Sequence, residues 1–260
     1  MSVVIPGLCS VTLRQCSPRE VLDVCVKAGL RAIEWGGDIH VPQGDVVRAR
    51  EVAQLCADEG IAVLSYGSYF RMDPDSSSPD FRAVLDTAVA LGAKTVRVWG
   101  GSKGSDKMDG DYQARLVSEC LRIAELAADA GCKIGLEYHR NTVTDSNEAA
   151  ASFLAEAAHP AVRCYWQPRE QCDPSSRLAG LKEILPFLCH LHVFQWVGDP
   201  VVREPLAAGE AEWSRYFQAA LGSGNQRTGA FLEFVQDDQP ANVLRDAKTL
   251  VRMIEALPEA

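Results

Sequence analysis

No two cysteines in this 260-residue chain are spaced C-x-x-C, although nine are present, so neither a zinc ribbon nor a disulfide framework is signalled. They read as reduced, mostly buried thiols. No cluster of Lys and Arg interrupts a balance of 26 basic against 35 acidic residues, and the formal net charge is -9. That balance disfavours a phosphate-backbone partner such as nucleic acid and makes small neutral or cationic substrates easier to accommodate. No apolar run approaches the ~20 residues of a membrane span, and the opening MSVVIPG has no basic region ahead of an apolar core. A cytoplasmic protein with no membrane partner is expected. Neither G-x-G-x-x-G nor G-x-x-x-x-G-K-[ST] follows a predicted strand, which removes support for a nucleotide-binding open sheet. Linkers, low-complexity tracts and short-period repeats are also missing.

What remains is an ordinary globular composition, 47% hydrophobic and 23% charged, enough for one domain of the barrel size class or two small ones. Strand and helix patterns alternate along it. Strands are expected over residues 4–11, 31–36, 61–68, 94–100, 133–139, 162–167, 188–196 and 229–235. Helices are expected after each, with Ser17-Pro18-Arg19-Glu20 supplying a capping box and a first-turn proline, and Ser78-Pro79 capping the third. The last helix spans residues 240–256. Eight strands separated by helical crossovers predict a parallel sheet closed into a single (β/α)8 TIM barrel over residues 1–260, with an open doubly wound sheet as the alternative.

In such a barrel one face of each strand packs under helices and the other fills the lumen, so alternation assigns side chains to faces. Ile134, Leu136 and Tyr138 form an apolar face, leaving Gly135, Glu137 and His139 on the other. By the same count Arg163, Tyr165 and Gln167 point inward on the sixth strand, and His190, His192, Phe194 and Trp196 on the seventh. Phe231, Glu233 and Val235 do so on the eighth, with Leu232 and Phe234 facing helices. Glu137, Gln167, His192 and Glu233 therefore converge near the C-terminal mouth, where burying them unpaired would be costly. One divalent ion resolves that cost. Two carboxylates, an amide oxygen and an imidazole without thiolate suit Mn2+, Mg2+, Co2+ or Zn2+ with positions left for substrate. Glu34 and Arg97, inward on strands two and four, read as a buried ion pair.

The runs L-E-Y-H at 136–139, L-H-V-F at 191–194, F-L-E-F at 231–234 and A-G-L-R-A-I-E-W at 28–35 resemble the xylose isomerase-like TIM barrels. That sugar phosphate isomerase/epimerase group also includes endonuclease IV, and the resemblance spans essentially the whole chain. It implies one divalent metal held by two glutamates, an aspartate and a histidine, with the glutamates doubling as acid and base. Glu137, His192 and Glu233 match by position. The sixth strand departs from the pattern, because Trp166-Gln167-Pro168-Arg169-Glu170 stands where the family has Asp followed three residues later by His. Gln167 adds no charge, so a weaker metal grip and a different substrate contact at Glu170 are expected.

The reaction implied is proton removal next to a carbonyl through an enediolate, by Glu137 or Glu233. It makes the protein a metal-dependent isomerase or epimerase of a keto sugar or polyol; a lyase cleaving a 3-oxo-glycoside by β-elimination is the alternative. An abasic-site endonuclease is disfavoured by charge and by few histidines, and a catalytically silent sugar-binding barrel would follow from Gln167. Further substrate contacts are expected from His139, His40, Arg14, Tyr66, Trp99 and Gln195. The partner is an unphosphorylated small carbohydrate, and a homodimer follows from the resemblance alone.

Overall fold

The computed structural model describes residues 3–73, 75, 80–169, 172–224 and 227–258. Among them, strands and helices alternate: β1 (Val3–Cys9), α1 (Pro18–Lys27), β2 (Ala32–Gly36), α2 (Val46–Asp58), β3 (Ala62–Arg71), α3 (Phe81–Leu91), β4 (Thr95–Trp99) and α4 (Gly110–Asp129). Then come β5 (Lys133–Glu137), α5 (Asn147–Glu156), β6 (Val162–Trp166), α6 (Pro174–Glu183) and β7 (Leu188–Val193). A short hairpin, β8 (Trp196–Val197) with β9 (Val202–Arg203), precedes α7 (Glu210–Ala220), β10 (Arg227–Leu232) and α8 (Pro240–Glu255).

Eight parallel strands close in the order β1-β10-β7-β6-β5-β4-β3-β2, a (β/α)8 TIM barrel. Local chemistry sets the helix starts. Ser17 and Glu20 form the reciprocal capping box ahead of α1, and Pro18 occupies the first turn, where a missing N–H is harmless. Asp45, Asp109, Ser146 and Asp173 cap α2, α4, α5 and α6 through their side-chain oxygens. The start of α3 differs from expectation: Asp80 is its cap, accepting from the Arg82 N–H, while Ser78 and Pro79 lie outside the described residues.

Two apolar layers hold the barrel. The larger lies between sheet and helices; on α4, Tyr112, Leu116, Cys120, Ile123 and Ala127 recur at helical spacing and meet the outward Ile134, Leu136 and Tyr138 of the core. The smaller fills the lumen with Ile5, Cys9, Ala32, Leu64, Tyr165, Cys189 and Phe231. Each of the nine cysteines is a free thiol. No helix among the described residues is long and apolar enough to cross a membrane.

Five strands end two or more residues from expectation: β3 runs on to Arg71 instead of residue 68, β5 stops at Glu137 instead of residue 139, and the other three departures reshape the mouth. The first strand stops at Cys9 instead of residue 11 and turns into a 3-10 segment, Ser10–Leu13. The seventh stops at Val193, so Trp196 belongs to the antiparallel hairpin and not to the barrel wall. At its other end the register against β6 slips between Cys164 and Tyr165, which turns Cys189 into the lumen instead of outward. The eighth strand ends at Leu232, and Phe234 adopts φ 49°, a conformation bulky L-residues rarely take. That reversal breaks the alternation: Phe234 turns to the cavity and Val235 joins the outer core, the opposite of the period-two expectation.

Candidate active site

At the C-terminal ends of the strands lies a cavity of about 590 Å3, lined by Arg14, Tyr69, Arg97, Trp99, Glu137, His139, Gln167, Glu233 and Phe234 among others. Two of these, Tyr69 (φ 57°) and Phe234 (φ 49°), carry positive φ. Such strained backbone clusters at functional sites, because packing elsewhere must hold it in place.

Below the cavity, charged groups meet in the lumen. Arg97 donates through Nε to Glu34 Oε1 at 2.9 Å and through a terminal nitrogen to Glu137 Oε2, so its planar fork bridges two buried carboxylates. The Glu34–Arg97 pair anticipated from strands two and four is present and is extended by Glu137. Glu34 also accepts from Ser65 Oγ at 2.9 Å and Cys9 Sγ at 3.2 Å. Glu137 Oε2 accepts a further bond from Trp99 Nε1 at 2.5 Å. Gly67 makes the bridge sterically feasible, since a Cβ there would sit 2.7 Å from the Arg97 guanidinium and 2.9 Å from Glu34 Oε1. Gly67→Ala is accordingly expected to push the fork off its partners and to lower stability by about 1–3 kcal/mol. Urea denaturation checks this, and an unchanged midpoint contradicts the close approach.

The four residues predicted to converge do so around one atom. His192 Nδ1 lies 2.9 Å from Gln167 Oε1, 3.3 Å from Glu233 Oε2 and 3.6 Å from Glu137 Oε1. Gln167 is oriented by its own Nε2, which donates to the Tyr138 carbonyl at 2.6 Å and leaves Oε1 facing the histidine. On the other side of the ring, Nε2 is 3.4 Å from Glu34 Oε1, within ion-pair range but without hydrogen-bond geometry. Cys9 Sγ, His192 and Glu233 also place one donor atom each within 4.8 Å of one another, a grouping no strand count revealed.

Electrostatics separate the two glutamates. Burial pushes Glu137 upward, but Arg97, then His192, more than offsets it and holds the carboxyl down to about 2. Burial likewise raises Glu233, and the nearby Glu137 and Glu34 charges add to it against His192 and Arg97, so it rises to about 7. Burial alone would lower His192, yet Glu233, Cys9, Glu137 and Glu34 together raise it well above the ordinary imidazole range. His190, deeper and beside Thr95, is pushed down by burial to about 3; its ring nitrogens meet Thr95 Oγ1 and the Gly229 N–H as lumen filler.

Three carboxylates facing one guanidinium leave the lumen negative, and that excess is what draws a proton onto His192. A cation among Glu137, Gln167, His192 and Glu233 would meet the same demand, and oxygen and imidazole donors already face one point. The donor set therefore fits a divalent ion.

Other predicted contacts divide. His139 lines the cavity, its ring 5.1 Å from that of Trp99 and its Nδ1 against the Arg140 carbonyl at 2.8 Å. Arg14 lines it too, tied to Asp38 at 2.6 Å and Tyr69 at 2.7 Å. His40 does not reach it: the ring is buried against Ser10 Oγ and the Cys16 carbonyl, in a structural role. Tyr66 is also enclosed, donating to the Val41 carbonyl at 2.8 Å. Gln195 lines a separate small cleft with Arg177 and Glu212. Glu170 lies outside the described residues. Sequence reasoning missed Tyr69, Cys9, Arg140 and Arg169; the last two stand directly after β5 and β6 in the polar stretches that signalled the loops.

The xylose isomerase-like TIM barrel family model matches residues 22–255. The chain belongs to that family. Among curated proteins it is similar to 3-dehydroshikimate dehydratase of Bacillus anthracis, with 22% identity over 205 residues, 72% of this chain and 70% of that protein. Among solved structures it resembles a xylose isomerase-like TIM barrel protein of Mycobacterium smegmatis in complex with magnesium, with a TM-score of 0.73, 16% identity and 96% of each chain covered. L-ribulose 3-epimerase gives a TM-score of 0.71 at 16% identity, covering 98% of this chain and 95% of that one. At such identities the structural likenesses establish the fold alone. Two of these relatives, the dehydratase and the epimerase, are enzymes.

Proposed function

We propose that the protein is a divalent-metal-dependent enzyme that removes a proton next to the carbonyl of a small polyhydroxylated substrate and completes the reaction by β-elimination, as a lyase. Glu137, Gln167, His192 and Glu233 would hold the ion, which when bound polarises the carbonyl.

The observation that carries the lyase outcome is the unequal engagement of the two glutamates. Glu137 Oε2 is occupied by Arg97 and Trp99, whereas among the described residues Glu233 meets only His192 at 3.3 Å and the weak Cys9 thiol donor at 3.9 Å. A two-base epimerase needs two carboxylates that exchange protons from opposite faces. Here one carboxylate has an oxygen taken up by Arg97 and Trp99 and the other is less engaged, an arrangement suited to a single base. In a one-base elimination Glu233 takes the proton from carbon, the electron pair forms the new double bond, and the β-hydroxyl leaves as water with the proton returned by Glu233. The similarity to 3-dehydroshikimate dehydratase supports this reading. Epimerisation is the second reading, supported by the fold shared with L-ribulose 3-epimerase.

The test is turnover of 3-dehydroshikimate and L-ribulose by metal-loaded protein in D2O. Elimination gives a conjugated product with new ultraviolet absorbance; epimerisation gives a deuterated stereoisomer; failure of both, with no solvent deuterium incorporated, sinks the proposal. Stripping with a chelator is expected to reduce turnover at least about 100-fold, and one of Mn2+, Mg2+, Co2+ or Zn2+ should restore it. Full activity of protein shown by elemental analysis to be metal-free contradicts the metal assignment.

A further inference from the structure

Beneath the proposed ligands lies a thiol that the proton transfer does not use. Cys9 ends β1, is fully buried, and places Sγ 3.2 Å from Glu34 Oε1 and 3.9 Å from Glu233 Oε1. With His192 and Glu233 it forms a set of three donor atoms, all within 4.8 Å of one another. A second observation marks the same place. His192, also fully buried, has an Nε2 with no hydrogen-bond partner among the described residues, and this atom lies 3.4 Å from Glu34 Oε1, the oxygen that Cys9 Sγ also approaches. An unpartnered polar atom at that depth is costly, so the place calls for a ligand. Distances and charge agree on a cation. A tetrahedral zinc, with bonds of about 2.3 Å to sulfur and about 2.1 Å to oxygen, holds those two atoms about 3.6 Å apart. The 3.9 Å between Cys9 Sγ and Glu233 Oε1 needs little closing to match. Glu34, Glu137 and Glu233 against the Arg97 guanidinium leave the surroundings short of positive charge.

We propose that Cys9, His192 and Glu233 form a second, inner position for a thiophilic divalent ion such as Zn2+ or Cd2+, exclusive of the outer position that includes Glu137 and Gln167. This rests on the reading of the site given above, since both positions draw on His192 and Glu233. Ligand softness sorts the ions between them. Mn2+ and Mg2+ prefer carboxylate and amide oxygens and stay at the outer position, whereas a sulfur ligand draws a softer ion inward. On coordination the S–H bond gives up its proton to solvent and the sulfur lone pair binds the ion. An ion held there engages Glu233, so that carboxylate can no longer take a proton from carbon. Inner occupancy therefore silences the site, and the choice of metal becomes a means of regulating it.

Cd2+ alone is the probe. Titrated into metal-free protein, it is expected to give a thiolate-to-cadmium charge-transfer absorbance in the ultraviolet that saturates at one ion per chain. Cys9→Ser should lose the band and bind Cd2+ at least about 10-fold more weakly, while its Mn2+ affinity and thermal midpoint match the parent. The half-buried Cys16 and Cys172 supply the control: Cys16→Ser with Cys172→Ser should keep the band, which holds the test decisive even if Cys9→Ser does not fold. Cd2+ added to Mn2+-loaded protein should release one Mn2+ for each Cd2+ bound, read from the electron spin resonance of free Mn2+. No band in the parent, a band that survives Cys9→Ser or vanishes with Cys16 and Cys172, or Cd2+ and Mn2+ bound together overturns the inference. These readouts do not depend on turnover. A parent that binds Cd2+ in this way yet fails the elimination and epimerisation tests keeps the inner position and loses only the catalytic reading.

Discussion

Glu233→Gln is expected to lower kcat by about 10²- to 10⁴-fold on the true substrate, the usual contribution of a positioned general base. The substitution keeps the shape of the side chain and its contact with His192, but the amide cannot take a proton. Glu233 lies just beyond β10, buried to 5% exposure at the cavity floor, and has the fewest partners of the three carboxylates in the lumen. Formation of the conjugated product should fall in parallel, because proton transfer is the step removed. Glu137→Gln should act differently. Its Oε2 is occupied by Arg97 and Trp99, so the loss there should show first as weaker metal retention and only through that as slower turnover. Equal rates of elimination in the Glu233→Gln protein and the parent would assign the base elsewhere, and indifference of turnover to both substitutions would favour a sugar-binding barrel without catalysis.

Arg97→Leu is expected to destabilise the protein by about 3–5 kcal/mol, the cost of leaving buried charge without its partner. Arg97, Glu34 and Glu137 are all buried, with side-chain exposures of 3%, 0% and 5%, so water cannot replace the missing guanidinium. Unfolding in urea at neutral pH measures the loss. Arg97→Lys should recover only part of it, because an ammonium is a point charge and cannot present separate nitrogens to Glu34 and Glu137. Adding Glu34→Gln to Arg97→Leu should recover stability relative to the single change, since it removes one of the stranded carboxylates. A loss smaller than about 1 kcal/mol for Arg97→Leu would mean that the network is hydrated or that the carboxylates protonate without cost.

Much of this arrangement is legible in the sequence alone. Alternation on β5, β6 and β7 placed Glu137, Tyr165 and His192 in the lumen because a strand's side chains change face at every residue, and eight repeats of strand and helix leave few ways to bury both faces. The capping box at Ser17 and Glu20 was equally direct, being a local exchange of hydrogen bonds. Where the period of two failed, a backbone irregularity was responsible. The slip between Cys164 and Tyr165 turned Cys189 inward, and the positive φ of Phe234 moved that ring from the helix side to the cavity. Neither leaves a signal in residue type, since neither position is a glycine. His40 and Tyr66 were polar residues near strand ends, and only the packed loops show that their polar atoms are spent on Ser10, Cys16 and Val41.

The sequence by itself determined the barrel, the family and the convergence of Glu137, Gln167, His192 and Glu233, because these follow from periodicities repeated along the chain. Tertiary structure alone decided how the charges are shared. That Arg97 also holds Glu137 and that Gln167 turns its oxygen to His192 depend on distances between residues far apart in the chain. Coulombic and hydrogen-bond energies fall steeply over those few ångströms, and no pattern of residue types specifies them.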